Sequence, residues 1–473
     1  MLFNSLDFLI FFPLVTIIYY LLPFHGRVLW LLAASAYFYM AFIPAYILIL
    51  AVTIVIDYFA AFLIQNSRSS YQKKLFLFLS LATTLAFLAF FKYAGFLTQN
   101  IDALARFFHW NYSIKALEII LPIGLSFHTF QGMAYVIEVY KGRQAPEKNF
   151  FVYSLYVLFY PQLVAGPIER PQNLLPQFHV KHDPDYARIQ RGLAKMLWGF
   201  FKKLVIADRL AVITNHVFNQ PGDFQGFAVW IAMYAFAFQI YCDFSGYSDI
   251  ALGAAEVMGI RLTKNFNKPY LSASIQEFWK RWHISLSTWF RDYVYIPLGG
   301  SRVSPLRQTW NILTVFTLSG LWHGANWTFV AWGALHGAFL ILFHVLKQPV
   351  DKLWVAFRLD RFSTLKRILG ILLTFHLVCL AWILFRAASI SDAATLYHNL
   401  FRNWDAPLSL NLGLNAYELS VGLAAVGILL ASYRLDNPFT RPIWMRWTAY
   451  YFLMASILFF GYDKTNQFIY FQF

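Results

Sequence analysis

Apolar runs of membrane-spanning length follow one another along the 473 residues of this chain. A helix that crosses the hydrocarbon core of a bilayer needs about 20 mostly apolar residues. The pattern therefore predicts an all-α, polytopic membrane protein, with residues 1–473 forming a single integral membrane domain. Spans are predicted at residues 6–23, 27–42, 44–65, 75–91, 118–139, 192–217, 224–245, 368–386, 415–433 and 447–461.

Basic residues in the loops between these spans predict the orientation of the chain. They cluster at residues 68–74, 141–148, 261–307 and 347–367. Because cytoplasmic loops are rich in Lys and Arg, all four clusters are assigned to the cytoplasm, which places the N-terminus outside. The same rule explains the net charge of +15 without any nucleic-acid partner.

Two apolar runs, 150–168 and 308–346, are flanked by basic residues assigned to the same side of the membrane. Each must therefore turn back as a re-entrant element or a helical hairpin. Non-helical backbone at membrane depth is tolerated where protein buries it or where it lines a watery cavity. Glycines such as Gly166 and Gly324 supply the breaks, and His323 is predicted to lie at the turn of the second hairpin.

The most polar stretch between these runs is residues 261–307. Its core at 276–283 predicts an interfacial amphipathic helix, because aromatic rings and charges are mixed there at helical spacing. Its aromatic residues would face lipid headgroups and its basic residues would face water; these are Trp279, Trp282 and Phe290, and Lys280, Arg281 and Arg291, respectively. His283 belongs to this element. A surface histidine without a catalytic role is the alternative interpretation of that residue.

Histidines occur in the second run although it carries no Asp, Glu, Lys or Arg: His323, His336 and His344. Ionisable groups inside a membrane are expensive and often mark a pathway or an active site. His323 is the best candidate, because Gly324 clears space beside it and Asn326 adds a polar partner. For His336 and His344 we favour the plainer interpretation, a hydrogen bond to a neighbouring helix.

A polar cluster at residues 241–249 ends the predicted span 224–245. Asp243, Ser245 and Tyr247 are candidates to line a polar pathway. The alternative is a helix terminus capped by Asp243 or Ser245.

Several familiar chemistries are excluded, because the sequence contains no G-x-S-x-G elbow, P-loop or H-E-x-x-H motif. Cys242 and Cys379 offer neither a disulfide framework nor metal-ligand spacing, so no metal site is predicted. A buried histidine suits general base catalysis on an acceptor hydroxyl that attacks an acyl thioester. His283 or Asn326 would stabilise the oxyanion, and His323 acting as an acyl acceptor is the alternative.

These motifs resemble those of the membrane-bound O-acyltransferase family, and in particular its bacterial branch that contains the alginate O-acetylation membrane subunit. The matching stretches are LPIGLSFHTFQ at 121–131, QLVAGPI at 162–168, DFSGYSD at 243–249, FWKRWHISLS at 278–287, GLWHG at 320–324 and FIYFQF at 468–473. The resemblance implies a funnel with a tunnel, built from roughly 11–12 membrane helices plus re-entrant and interfacial helices, with a catalytic core at roughly 118–346.

The resemblance also implies the activity. His323 would be the catalytic histidine and His283 the second, with Trp322 among the supporting or tunnel-lining residues. An acyl group would pass from cytoplasmic acetyl-coenzyme A or an acyl-carrier thioester, used as a substrate with no bound cofactor, across the bacterial inner membrane. A periplasmic or extracellular SGNH-type esterase-like partner would then place it on a polysaccharide such as alginate.

Three alternatives remain open on the sequence alone. Peptidoglycan or cellulose acetylation fits the same motifs, and so does D-alanyl transfer to teichoic acid from a carrier-protein thioester. From a different class, broken helices around polar residues also suit a transporter or a scaffold of a polysaccharide export complex.

Overall fold

Helices form every regular element in the part of the chain that the computed structural model describes, which comprises residues 1–110, 122–359, 361–404, 412–434, 441–462 and 468–469. The α-helices are α1 Leu6–Leu21, α2 Phe24–Met40, α3 Ile47–Asn66, α4 Ser70–Leu88, α5 Ala94–Phe107, α6 Leu125–Tyr140, α7 Phe150–Leu158, α8 Tyr160–Leu163, α9 Pro171–Phe178, α10 Tyr186–Phe200, α11 Asp208–Phe218, α12 Phe227–Val257, α13 Ile275–Arg281, α14 Ile284–Phe290, α15 Pro305–His323, α16 Trp327–Ala356, α17 Ser363–Arg386, α18 Ile390–Asn399, α19 Ala416–Ser432 and α20 Ile443–Phe460. Short 3-10 turns lie at Pro44–Tyr46 and Pro269–Leu271, and π-helical turns at Ala89–Tyr93, Phe201–Ala207 and Arg291–Tyr295. Residues 118–121 of one predicted span and residues 470–473 of the terminal motif lie outside the described residues.

Six helical segments within the described ranges are long and apolar enough to cross a membrane, judged by length and composition. They are Pro44–Asn66, Ser70–Phe107, Phe227–Val257, Trp327–Ala356, Ser363–Arg386 and Ile443–Phe460. Shorter apolar helices, α1 and α19, add to this set. The prediction of an all-α, polytopic membrane protein is confirmed.

The polar cluster at 241–249 lies inside α12 and not at the end of a helix. The helix continues without a break to Val257, so the interpretation of Asp243 or Ser245 as a terminal cap is wrong. The physical reason is that both side chains have partners elsewhere in the protein. Asp243 forms an ion pair with the Lys203 ammonium and Ser245 accepts a hydrogen bond from Lys202, so neither side chain needs to cap free backbone groups.

The chain forms two compact units. The first comprises Met1–Met196 and Tyr247–Thr263, and the second comprises Leu197–Gly246 and Lys264–Phe473. In the first unit, α3 and α6 pack around the buried Asp57 carboxylate, which accepts a 2.7 Å hydrogen bond from Ser80 Oγ. Gly132 is required there, because a Cβ atom at this position would lie 2.2 Å from Asp57 Oδ2.

The run 150–168 is broken as predicted. It contains α7 and α8, after which the chain leaves helical geometry before α9 begins at Pro171. Gln162 Nε2 donates a 2.7 Å hydrogen bond to the carbonyl of Tyr156 across the junction between α7 and α8. Gly166 packs so closely that an added Cβ would meet Gln162 Cα at 2.3 Å. The break is therefore built from protein contacts within this unit.

In the second unit, α15 and α16 form the helical hairpin predicted for the run 308–346. Two glycines let the two helices touch through their backbones. A Cβ at Gly320 would lie 2.1 Å from the carbonyl oxygen of Phe329, and one at Gly333 would lie 2.2 Å from that of Phe316. Small residues at a helix interface allow this close approach. His323 is the last residue of α15, at the turn, as predicted.

The segment predicted to be one interfacial helix is two short helices, α13 and α14, that meet at His283. Lys280 and Arg291 are exposed, as predicted. Trp282 and Phe290 are buried inside the protein, so the prediction that they face lipid headgroups is wrong. His283 has a left-handed backbone conformation and ends the helical spacing on which the amphipathic prediction depended. The resulting bend turns the rings of Trp282 and Phe290 into the protein.

Candidate active site

His323 is held at the end of α15 by aromatic packing. Its side chain is buried, and its ring centroid lies 5.1 Å from that of Trp332 and 5.4 Å from that of Phe385. Gly324 makes this packing possible, because a Cβ atom there would overlap the ring of Phe329 at 2.1 Å. The sequence GLWHG therefore places a titratable ring in an apolar aromatic pocket at a tight turn.

His283 joins α13 to α14 in the left-handed region, with φ of +41°. Few non-glycine residues adopt this region, and such backbone strain occurs often at functional sites. Asn265 fixes the bend from the opposite segment. Its backbone carbonyl accepts from the amide of Ile284, and its side-chain Oδ1 accepts from the amide and the hydroxyl of Ser285, at 2.9, 3.2 and 2.7 Å.

The structure brings the two predicted histidines together although forty positions separate them. Their ring centroids are 6.5 Å apart, and Trp322 lies beside both, at 6.3 Å from His283 and 4.9 Å from His323. His283 is fully buried, so the alternative interpretation of a surface histidine is wrong. Burial lowers the pKa of His283 to about 3, so its imidazole is neutral at physiological pH.

This arrangement can perform acid–base chemistry in a dry environment. A neutral imidazole has one acceptor nitrogen and one N–H donor. Two such rings side by side can take a proton from one group and donate a hydrogen bond to another. Charges that develop between them are weakly screened, which strengthens any stabilising contact.

The remaining predicted site residues fall into three places. Asn326 caps α16: its Oδ1 accepts from the amide of Thr328 at 3.1 Å and its Nδ2 donates to the carbonyl of Ala388 at 2.9 Å. Asp243 and Ser245 contact the lysines Lys203 and Lys202. Tyr247 belongs to the first unit, where its ring stacks on Phe3 at 4.4 Å.

A buried ion cluster beside the histidine pair was not predicted from the sequence. Lys203 Nζ lies 2.8 Å from Asp208 Oδ1 and 2.8 Å from Asp243 Oδ1, and all three side chains are buried. Asp243 Oδ2 also accepts a 2.7 Å hydrogen bond from the amide of Ile469. The next residue, Phe244, packs on His283 at 4.7 Å, so the cluster supports one wall of the site.

The sequence carried one signal for these supporting residues. Lys202 and Lys203 lie side by side within the predicted span 192–217, which is expensive unless the charges have partners. Asn265 gave no signal, because an asparagine in a polar loop is common. Among the described residues, no group of three or more His, Cys, Asp or Glu side chains is placed to hold a metal ion.

We expect Asn265→Ala to lower the rate of acyl transfer by more than the accompanying loss of folded protein explains. Removing Oδ1 takes away the acceptor that the amide and hydroxyl of the buried Ser285 share, at a cost of about 1–3 kcal/mol, and frees the bend that orients His283. Transfer rate and thermal midpoint in detergent measure the two effects. Asn267→Ala, in the same loop, is the matched control, and equal transfer rates in both variants would contradict the role assigned to Asn265.

Comparison of the sequence with known proteins places the chain in a protein family. Residues 147–384 match the model of the membrane-bound O-acyltransferase family. The chain is 37% identical to a probable alginate O-acetylase of Azotobacter vinelandii, over 94% of this chain and 87% of the relative. It is 37% identical to a peptidoglycan O-acetyltransferase of Helicobacter pylori, over 77% of this chain and 72% of the relative.

A more distant similarity, 29% identity, connects the chain to a teichoic acid D-alanyltransferase of Bacillus subtilis, over 56% of this chain and 69% of the relative. The family model and the similarity over most of the chain agree with the multi-pass helical fold. This chain belongs to the membrane-bound O-acyltransferase family and is an acyltransferase.

Proposed function

We propose that this protein transfers an acetyl group from a cytoplasmic thioester, acetyl-coenzyme A, toward a polysaccharide outside the bacterial inner membrane. The observation that carries the proposal is the pair of buried imidazoles, 6.5 Å apart, at the turn of a helical hairpin. Two relatives with 37% identity are named for O-acetyl transfer, to alginate and to peptidoglycan, which supports acetyl as the acyl group.

In the proposed reaction, His323 acts as the general base. Its acceptor nitrogen takes the proton of an acceptor hydroxyl while the hydroxyl oxygen attacks the thioester carbonyl carbon. The N–H of His283 donates to the developing oxyanion. When the intermediate collapses, the C–S bond breaks, the new ester C–O bond remains, and the thiolate leaves with the proton that His323 returns.

The proposed orientation follows from the basic loops. With those loops in the cytoplasm, the donor thioester would be used on that side and the acetyl group delivered outward. A secreted SGNH-type esterase-like protein is the proposed partner for the final placement on the polysaccharide, since the loops assigned to the outside are short. Alginate is the acceptor that we favour, on the name of the probable alginate O-acetylase that matches 94% of this chain.

D-alanyl transfer from a carrier protein is the second candidate, since one relative carries that name at 29% identity. A transporter or scaffold role is the third. The three predict different products: O-acetyl esters, D-alanyl esters, or a change in the amount of exported polymer with its ester content unchanged.

The test compares cells that contain and lack this chain. We expect loss of the protein to abolish base-labile acetate on the extracellular polymer while polymer yield stays the same. Inverted membrane vesicles from cells with the protein should transfer radiolabelled acetyl from acetyl-coenzyme A to polymer. Loss of D-alanine esters, or loss of polymer with acetate per sugar unchanged, would overturn the proposal in favour of the second or third candidate.

A further inference from the structure

His336 is a buried imidazole that the proposed reaction does not use. It lies in α16 and its side chain is fully buried. Neither of its ring nitrogens has a hydrogen-bond partner among the described residues. The hydrogen bond to a neighbouring helix that we favoured for this residue is therefore not found in that part of the chain. A neutral imidazole always carries one donor and one acceptor, so the described part of the chain leaves both unsatisfied.

Aromatic side chains enclose this imidazole. Their ring centroids lie at 6.3 Å for Phe278, 5.0 Å for Trp279, 5.0 Å for Trp332, 5.9 Å for Phe339 and 6.4 Å for Trp382. The Phe278 ring is parallel to the imidazole within 5°. Trp332 also contacts His323 at 5.1 Å, so a single indole separates the enclosed imidazole from the catalytic one.

Two of the enclosing rings carry unsatisfied donors as well. The indole nitrogens of Trp279 and Trp332 are buried and have no hydrogen-bond partner within the described ranges. These two rings contact each other at 5.8 Å as well as contacting His336. An indole N–H can only donate. His336, Trp279 and Trp332 contact one another and together offer three N–H donors. Their single acceptor is one ring nitrogen of His336.

Burial of so many unsatisfied polar atoms opposes folding unless something binds them. Each such group loses its hydrogen bonds to water, and a phenyl ring in place of the imidazole would avoid that loss. A set of donors with one acceptor suits a small group with an oxygen lone pair. Water and the carbonyl oxygen of a short acyl chain both have this chemistry, and buried waters bind polar sites of this kind.

We propose that His336, Trp279 and Trp332 form a buried polar subsite that binds one small oxygen-bearing group, either a water molecule or the carbonyl oxygen of a short acyl group. The subsite rests on the proposed function, because it adjoins His323 through Trp332. It adds to that function a binding determinant for the acyl end of the substrate or for a water that orders the pocket.

The test replaces His336 by Phe, which keeps a ring and removes both nitrogens. His344→Phe is the matched control: it lies on the same helix, is exposed, and its Nδ1 contacts the carbonyl of Leu340 in its own helix at 2.7 Å. Initial rates are measured against acetyl-coenzyme A concentration in inverted membrane vesicles. Thermal midpoints are measured on the purified full-length protein with and without acetyl-coenzyme A.

We expect His336→Phe to lower kcat/KM for the donor at least tenfold, with the control within twofold of wild type. If the subsite binds the acyl carbonyl, KM rises and the donor-free protein is as stable as wild type or more stable. If it binds water, kcat falls at constant KM and the donor-free protein is less stable. If His336→Phe leaves the transfer rate unchanged and raises the thermal midpoint, the subsite is rejected, because the imidazole then binds no ligand.

A second variant separates binding from packing. His336→Gln keeps one donor group and one acceptor group and should retain most of the transfer activity. If Gln and Phe reduce transfer equally, or if neither variant can be recovered folded, ring packing explains the residue and the subsite is rejected. Failure of the proposed function is distinct, because the wild-type vesicles would then show no acetyl transfer at all.

Discussion

Replacing His323 by Ala will lower the rate of acyl transfer by about 10²–10⁴-fold, the usual contribution of a general base. The ring lies 6.5 Å from His283 and contacts Trp332 and Phe385, so its removal takes away the proposed base and opens space in an aromatic pocket. Transfer of labelled acetyl to polymer, normalised to the amount of protein in the membrane, measures the effect.

The variant His323→Gln separates loss of the base from loss of packing. Glutamine fills more of the pocket than alanine does and cannot act as a base near neutral pH. Both variants should therefore be equally slow, while the glutamine variant unfolds at a temperature closer to wild type. His376→Ala is the matched control, since that histidine is half-buried outside the histidine pair and its Nδ1 contacts the carbonyl of Leu372 in its own helix. A transfer rate within threefold of wild type in His323→Gln would contradict the role of base.

Lys203→Met is expected to destabilise the protein by about 3–5 kcal/mol, because it removes the cation that lies between two buried carboxylates. Lys203 Nζ lies 2.8 Å from both Asp208 and Asp243, whose side chains are almost fully buried. Asp243 also holds the amide of Ile469, and Phe244 packs on His283, so transfer should fall together with stability. Thermal midpoint in detergent and acetyl transfer are the two measurements.

The matched control for this variant is Lys195→Met. Lys195 pairs with Glu256 at 2.7 Å, but both side chains are partly exposed and Arg191 remains as a second partner. Such a pair contributes about 0–1 kcal/mol. Adding Asp208→Asn to Lys203→Met should restore part of the lost stability, since it removes one of the two buried carboxylate charges that have lost the Lys203 cation. Equal destabilisation by the two lysine variants would refute the buried cluster as a stabilising element.

Much of the fold was predictable because the apolar length of each segment by itself indicates whether that segment forms a membrane helix. The predicted spans at 6–23, 27–42 and 368–386 correspond to α1, α2 and α17 within a few residues. The hairpin of α15 and α16 was predictable for the same reason, since basic residues flank an apolar run on the same assigned side. Its glycines then gave the place of the turn, and with it the position of His323.

The error at 241–249 has a different origin. A polar cluster at the end of an apolar run normally marks the end of a helix, yet α12 continues to Val257. The reason lies in Lys203, forty positions away, whose ammonium contacts Asp243. The spacing of residues along the sequence does not reveal a contact between distant positions such as Lys203 and Asp243. The burial of Trp282 and Phe290 also depends on contacts with distant segments, so it was missed as well.

By itself, the sequence determined the class of the protein, the places of most helices, the family motifs and the choice of His323 and His283. These follow from local properties: the apolar length of a segment, the charge of a loop and the presence of a costly histidine in an uncharged run. Only the tertiary structure decided that the two histidines share one pocket, that His283 is buried and neutral, and that Asn265 and Lys203 support it. Those facts depend on contacts between distant segments, and the free energy of a buried polar group is set by its partners in space.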